Sequence, residues 1–252
     1  MRLGLGLSLS MSAIVAAPSI VPPVTDGLEG FFLFGVDAAE SAKNWAPGKA
    51  DASVVGSPTY GDDYAVLTGN GVAYLQTQVD HTEDMTFIAV ARPLSDAAAS
   101  LISNYQSPAT LHAGNTNGSV LSFSTGVGAD GKVVANFGSA YNNAGTSTQV
   151  TAAQANPGGD INADYAISGR VENATRGRTV NNLTMGTVNS NTPGSVTVAD
   201  IGGKLRIGTS YNSQLGAQVR IYASILFSRR LSDEELTTHY DWLKAYFSGL
   251  SL

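Results

Sequence analysis

The stretch from Arg220 to Phe247, RIYASILFSRRLSDEELTTHYDWLKAYF, decides the fold. It reads as a β-strand that runs out into a short, well-signalled helix. Arg220, Tyr222 and Ser224 alternate with Ile221, Ala223 and Ile225, the period of two that a half-buried strand needs. Ser232 and Glu235 then have the S-x-x-E spacing of a capping box, and Leu231 and Leu236 take the two positions of a hydrophobic staple. Asp233 and Glu234 put negative charge on the first turn, where the helix dipole favours it. Leu236, Tyr240, Leu243 and Phe247 recur at helical spacing, and Gly249 is placed to end the helix. An all-β chain closed by one strand and one capped helix follows, and this segment offers no evident catalytic group.

The bulk composition agrees. The chain has 252 residues, of which 13% are charged, too apolar for a disordered chain and too lightly charged for a helical bundle. Abundant Gly, Ala, Ser, Thr and Asn suit short strands joined by tight turns. A net charge of −6 with no block of Lys or Arg argues against nucleic acid as a partner. With no cysteine, disulfides, thiolate catalysis and Cys-based zinc sites are excluded together.

The N-terminus has the outline of a secretory signal: MRLGLGLSLSMSAIVAA carries one Arg, an apolar run and small residues near Ala17. Its fine structure differs from a helical signal core. Leu3, Leu5, Leu7, Leu9 and Met11 alternate with Gly4, Gly6, Ser8, Ser10 and Ser12, which places every large side chain on one face of a strand. We expect an extended assembly arm, with Pro18, Pro22 and Pro23 stiffening the linker behind it, over residues 1–26. The segment is too short and too rich in Gly and Ser to span a membrane.

No shift in composition divides residues 30–247, so one core is expected, in a domain of residues 27–252. Gly30–Phe34 is an apolar run, and Asn70-Gly71 separates Tyr64–Leu67 from Val72–Leu75 in the manner of a hairpin. Met85–Arg92 is the clearest core strand, ended by Pro93. Leu101–Tyr105, Ser119–Ser124, Lys132–Phe137, Asp164–Val171, Arg178–Met185, Gly194–Val198 and Leu205–Ile207 complete the strand series. Ser139–Asn162, rich in Asn, Gly, Thr, Ala and Gln, reads as a long surface loop.

In this order, four blocks resemble the concanavalin A-like jelly roll of the laminin-G-like type. They are Asp63–Gly71, Met85–Pro93 with Val90 in place of the usual Trp, Leu205–Ser210, and Leu226–Leu236. The resemblance implies an antiparallel β-sandwich over residues 27–252 with a short C-terminal helix. It implies no activity, because the fold hosts lectins, glycosidases, adhesion modules and virus-particle proteins. An alternating arm ahead of one lectin-like sandwich is similar to structural proteins of tailed bacteriophages.

Candidate sites are few. A glycosidase needs two carboxylates about 5–10 Å apart across a cleft, and the E-x-D-x-x-E run of glucanases with this fold is missing. The close acid pairs Asp62-Asp63 and Glu83-Asp84 flank strands, and Asp233-Glu234-Glu235 is the helix cap. His81, His112 and His239 lack metal-site spacing, and His239 is expected on the exposed side of its helix. No G-x-S-x-G elbow anchors a serine triad. The resemblance allows a rim calcium held by loop acids such as Asp62, Asp63, Asp80, Asp130, Asp160 and Asp164, although no Asp-x-Asp-x-Asp loop is present; no other cofactor is implied. A sugar wants an aromatic ring for its apolar face and amides or guanidinium groups for its hydroxyls. Tyr105, Tyr141, Asn142, Asn143, Tyr211 and Asn212 offer these on loops, with Arg170, Arg176 and Arg178 in the same half of the chain. Trp45 and Trp242 read as packing anchors.

The expectation is therefore a non-enzymatic structural protein of a tailed-phage virion, associated with the tail and homo-oligomeric. Its arm would pack against other virion proteins, and its sandwich would meet host-surface glycan or a neighbouring protein. A secreted or cell-surface carbohydrate-binding module is the alternative, and a glucanase-type hydrolase the least favoured reading.

Overall fold

The structure, a computed structural model, describes residues 20–125, 131–155, 158–194 and 198–252. The arm residues Leu3, Leu5, Leu7, Leu9 and Met11 lie outside them. The first elements are β1 (Leu28–Leu33), α1 (Ala38–Ala42), β2 (Ser53–Val55), β3 (Thr59–Tyr60), β4 (Ala65–Thr68) and β5 (Tyr74–Gln76). Next come β6 (Met85–Pro93), β7 (Ala99–Ser103), β8 (Ser119–Thr125), β9 (Lys132–Asn143), β10 (Thr146–Ala153) and β11 (Gly159–Asp160). The chain ends with β12 (Tyr165–Val171), β13 (Arg178–Asn182), β14 (Thr187–Asn191), β15 (Val198–Ala199), β16 (Arg206–Ile207), β17 (Gln218–Phe227) and α2 (Asp233–Tyr246).

Two antiparallel sheets result. One is eight-stranded in the order β14-β13-β12-β6-β17-β4-β3, with β1 also on β17. The other is nine-stranded in the order β10-β9-β8-β7-β16-β5-β2, with β11 and β15 on β9. Register fixes what each face carries. Across the nine-stranded sheet Ala152, Phe137, Leu121, Ile102, Ile207, Leu75 and Val54 stand opposite one another in a single row. That row faces the core, against Phe87, Ala89, Ala91, Ile167 and Leu226 of the other sheet. Phe87 and Phe137 meet edge to face at 5.7 Å. Gly169 makes this contact: a Cβ there would lie 2.1 Å from the Phe137 ring, so the sheets close only over a residue without a side chain.

β17 is covered on both faces, which corrects the half-buried strand expected from its alternation. A bulge between Ile221 and Ala223 shifts its phase. Val219, Ile221 and Leu226 enter the inter-sheet core, while Ala223, Ile225 and Phe227 lie beneath α2. The helix packs Leu236, Leu243 and Phe247 onto that outer face together with Ile88, Val90 and Ala166. Trp242 meets Phe31 edge to face at 5.7 Å, and the Lys43 ammonium sits 3.7 Å above the Trp45 ring.

The helix start is as predicted. Ser232 Oγ accepts the Glu235 N–H at 3.1 Å, and Glu235 Oε2 accepts the Ser232 N–H at 2.8 Å. Arg229 grips the same carboxylate at 3.0 and 2.6 Å. Mainly through that guanidinium, Glu235 is held down to about 2. Arg170 ties strand to helix, with one nitrogen 2.6 Å from Asp233 and another donating to the Leu231 carbonyl at 3.0 Å. His239 is buried rather than exposed, with its ring 5.3 Å from that of Phe227. Three residues after Leu236 and four before Leu243, His239 lies on the same stripe of the helix as the two leucines.

Two turns differ from their reading. Ser139–Asn162 is not a long loop: β9 and β10 pair from Asn143–Thr146 down to Asn136–Ala153. Ala144 (φ 50) and Gly145 (φ 87) make the two-residue turn. The polar composition that suggested a loop belongs to a sheet edge and its outward face. Asn70-Gly71 turns with φ of 58 and 70, yet β4 and β5 belong to different sheets. It is a corner of the sandwich, with only Thr68 and Ala73 bridged across it.

Candidate functional site

The outward face of the nine-stranded sheet carries small and polar residues. Thr151, Gly138, Val120, Ser103, Arg206 and Gln76 form one row, and Ala153, Asn136, Ser122 and Ser100 the next. A groove of about 180 Å³ opens there, lined by Tyr105, Val120, Ser122, Asn136, Gly138, Gln149, Thr151, Gln214 and Leu215. Its floor is β8 and β9, β10 is one side, and loops beyond β7 and β16 form the other.

Local structure sets each wall. Tyr105 donates its N–H to Ser103 Oγ at 2.8 Å and accepts the Tyr211 N–H on its carbonyl at 2.9 Å. Gln106 (φ 61) and Leu215 (φ 58) hold left-handed backbone beside the groove although neither is glycine. Such strain persists only where surrounding bonds hold it, and the Leu215 carbonyl does accept the Ser100 N–H at 3.1 Å. A Cβ on Gly138 would come 2.9 Å from the Gln149 amide, so the missing side chain lets Gln149 lie across the floor. Gln149 Nε2 donates to the Asn117 carbonyl at 3.2 Å. Asn136 donates its Nδ2 to Ser124 Oγ, while its Oδ1 is buried with no partner. A buried, unpaired acceptor costs about 1–3 kcal/mol.

The six loop residues singled out from sequence do not form one site. Tyr105 lines the groove, and Tyr211 is tied to it through the backbone. Tyr211 lies against the Arg206 guanidinium at 3.4 Å and donates its hydroxyl to the Lys204 carbonyl at 2.8 Å. Asn212 Oδ1 is occupied by Ser210 Oγ at 2.9 Å and the Gln214 N–H at 3.2 Å. Tyr141, Asn142 and Asn143 end β9: Tyr141 faces Arg178 at 5.8 Å, and Asn142 Oδ1 accepts the Gly145 N–H at 2.8 Å. Asn136, Gln149 and Gln214 were missed. Two of them sit in the stretch misread as a loop or at a strand's outward position, and period-two alternation around Phe137 was the available signal.

The arginines are spent inside. Arg170, Arg176 and Arg178 are all fully buried. Arg176 donates to the Glu83 carbonyl at 3.1 Å and to Asn173 Oδ1 at 2.9 Å. Arg178 donates twice to the Ser139 carbonyl, at 3.1 and 2.7 Å. Burial lowers both guanidinium groups, Arg178 to about 10.

A serine–histidine pair exists, in the wrong protonation for catalysis. His81 Nδ1 faces the Gly202 N–H at 3.3 Å and must accept, so Nε2 carries the proton and donates to Ser119 Oγ at 2.8 Å. Ser119 in turn donates to Ser139 Oγ at 3.0 Å. Burial first, then the neighbouring Arg176, lower His81 to about 4. The pair is buried, and its histidine donates a hydrogen bond to the serine oxygen where a triad histidine would accept one. Asp200, also buried, pairs with His112 at 3.1 Å.

Of the six loop acids, Asp130 lies outside the described residues and three have cationic partners: Asp80 with Lys204 at 2.9 Å, Asp160 with Lys132 at 2.5 Å and Asp164 with Arg92 at 2.5 Å. Among the described residues no three His, Asp or Glu side chains converge. A larger rim cleft of about 400 Å³ lies between Glu29, Asn44, Lys49, Asp80 and Thr82. Its polar groups answer one another: Glu29 binds Lys49 at 2.6 Å, and Asn44 bonds four backbone groups. The groove, by contrast, holds an unanswered one.

Structural comparison fits this architecture. The chain superposes on the binding domain of botulinum neurotoxin DC in complex with SialylT with a TM-score of 0.57 at 8% identity, covering 88% of this chain and 52% of that one. Trypanosoma rangeli sialidase in complex with sialic acid gives 0.55 at 14% identity, covering 92% and 36%. The fold is an antiparallel β-sandwich of the jelly-roll kind, as these domains have. This sandwich spans about half of the neurotoxin domain and about a third of the sialidase. The receptor-binding domain of the C/D mosaic neurotoxin agrees, at a TM-score of 0.56 and 11% identity over 86% of this chain and 52% of that one. No protein-family model and no curated protein matches the sequence.

Proposed function

We propose that the sandwich is a non-enzymatic glycan-binding module and that the groove on its nine-stranded sheet is the binding surface. One observation carries this reading: Tyr105 stands beside Ser122, Asn136, Gln149, Thr151 and Gln214 in one concavity, with Asn136 Oδ1 lacking a donor. A ring for the apolar face of a sugar and several amides for its hydroxyls are the chemistry that carbohydrate recognition uses. Support also comes from the sialic acid and SialylT complexes of the similar folds. On a glycan array the protein should retain a defined subset of glycans, and Tyr105→Ala should lose them. Retention unchanged by Tyr105→Ala would remove the groove from the account.

We further propose that the module is displayed on a tailed-phage particle, in its tail and as an oligomer, with residues 1–26 as the anchor. The alternation of Leu3, Leu5, Leu7, Leu9 and Met11 ahead of a lectin-like sandwich supports this. A leucine buried in a partner contributes about 1.5–3 kcal/mol, so deleting residues 1–20 should abolish incorporation into the particle. Unchanged incorporation would refute the anchor.

A further inference from the structure

We infer that the groove selects neutral glycans and rejects those ending in a carboxylated sugar; this rests on the groove being the glycan site. All nine residues that line it are uncharged. A carboxylate brought into such a concavity loses hydration and finds no cation to replace it.

The cations that could have served an acidic sugar are committed elsewhere. Arg176 and Arg178 are buried on backbone carbonyls. Arg206 shares the outward face, in the row that passes through Ser103 and Val120. Its guanidinium is stacked between Tyr211 at 3.4 Å and Tyr74 at 4.9 Å, and its Nε donates to Gln76 Oε1 at 2.8 Å. Tyr211 is in turn bonded to the Tyr105 backbone, and Arg206 is not among the residues that line the groove. Asn136, Gln149 and Gln214 line the cavity with uncharged carboxamides, although the Asn136 and Gln149 amide nitrogens already donate to Ser124 Oγ and to the Asn117 carbonyl.

The test is an array that prints neutral glycans beside the same glycans capped with sialic acid, followed by titration of the best neutral member and its capped partner. The inference expects the neutral member to bind at least about tenfold more tightly, a difference of about 1.4 kcal/mol. Its affinity should be the same in low and high salt, because no ion pair is screened. Gln149→Lys should narrow the gap by strengthening the capped partner. Equal or tighter binding of the capped glycan, lost in Tyr105→Ala or in Arg206→Gln, would overturn the inference and leave the glycan reading standing. No retention of any glycan would overturn the glycan reading itself, and the inference with it.

Discussion

His239 gives the sharpest prediction about stability. The side chain is buried beneath α2 against Phe227, and neither ring nitrogen has a hydrogen-bond partner. Burial lowers it to about 4 from an ordinary 6.5, with Glu235 opposing the shift and Arg229 adding to it. The folded protein therefore refuses a proton that the unfolded chain takes up below about pH 6.5. No cost arises above that pH; it grows as pH falls and levels off below about 4. At pH 4.5, linkage makes the loss about 2.5 kcal/mol relative to pH 7.5. His239→Leu removes the titrating group and keeps a good helix former in place. Urea unfolding of both proteins at pH 7.5 and 4.5 isolates the term, because His81 and the carboxylates remain in both. The variant should lose about 2.5 kcal/mol less than the wild type on acidification, whatever offset the repacking adds at both pH values. Parallel losses would show that His239 charges freely in the folded state, and the reasoning would fail.

Other outcomes follow from single contacts. Gly169→Val drives a side chain into the Phe137 ring and should cost about 1–3 kcal/mol, read as a lowered urea midpoint. Ser232→Ala removes the acceptor for the Glu235 N–H and should cost about 0.5–2 kcal/mol without changing glycan retention. His112 is raised above its usual range by the Ala113 carbonyl and by Asp200. The contact it makes is thus present below about pH 6.5 and is lost as pH rises through the raised value. Hydrogen exchange at the Thr110 amide, bonded to Ile201 beside Asp200, should then quicken; exchange flat through that range would argue against the pair.

The closing strand and helix were legible because their signals are local. Ser232, Glu235, Leu231 and Leu236 are a few residues apart, and the cap forms from them alone. The core strand Met85–Arg92 was legible for the same reason. What was hidden depends on the other sheet or on α2. Nothing near Ile221–Ala223 announces a bulge, so the two-sided burial of β17 cannot be read from its alternation. His239 has the spacing of the buried stripe, three residues after Leu236 and four before Leu243, and only its polar side chain suggested exposure. The β9–β10 hairpin is polar because its residues face outward or sit at an edge, and composition takes that for a loop. Tyr105 was named from sequence, whereas Asn136, Gln149 and Gln214 come to it only through strand register and a returning loop.

The groove itself is tested most directly by backbone amide shifts in an isotope-labelled sample titrated with an array-selected neutral glycan. The account predicts shifts confined to Tyr105, Val120, Ser122, Asn136, Gly138, Gln149, Thr151 and the loop at Gln214-Leu215. Shifts centred instead on Glu29, Lys49, Asp80 and Thr82, with the groove silent, would contradict it.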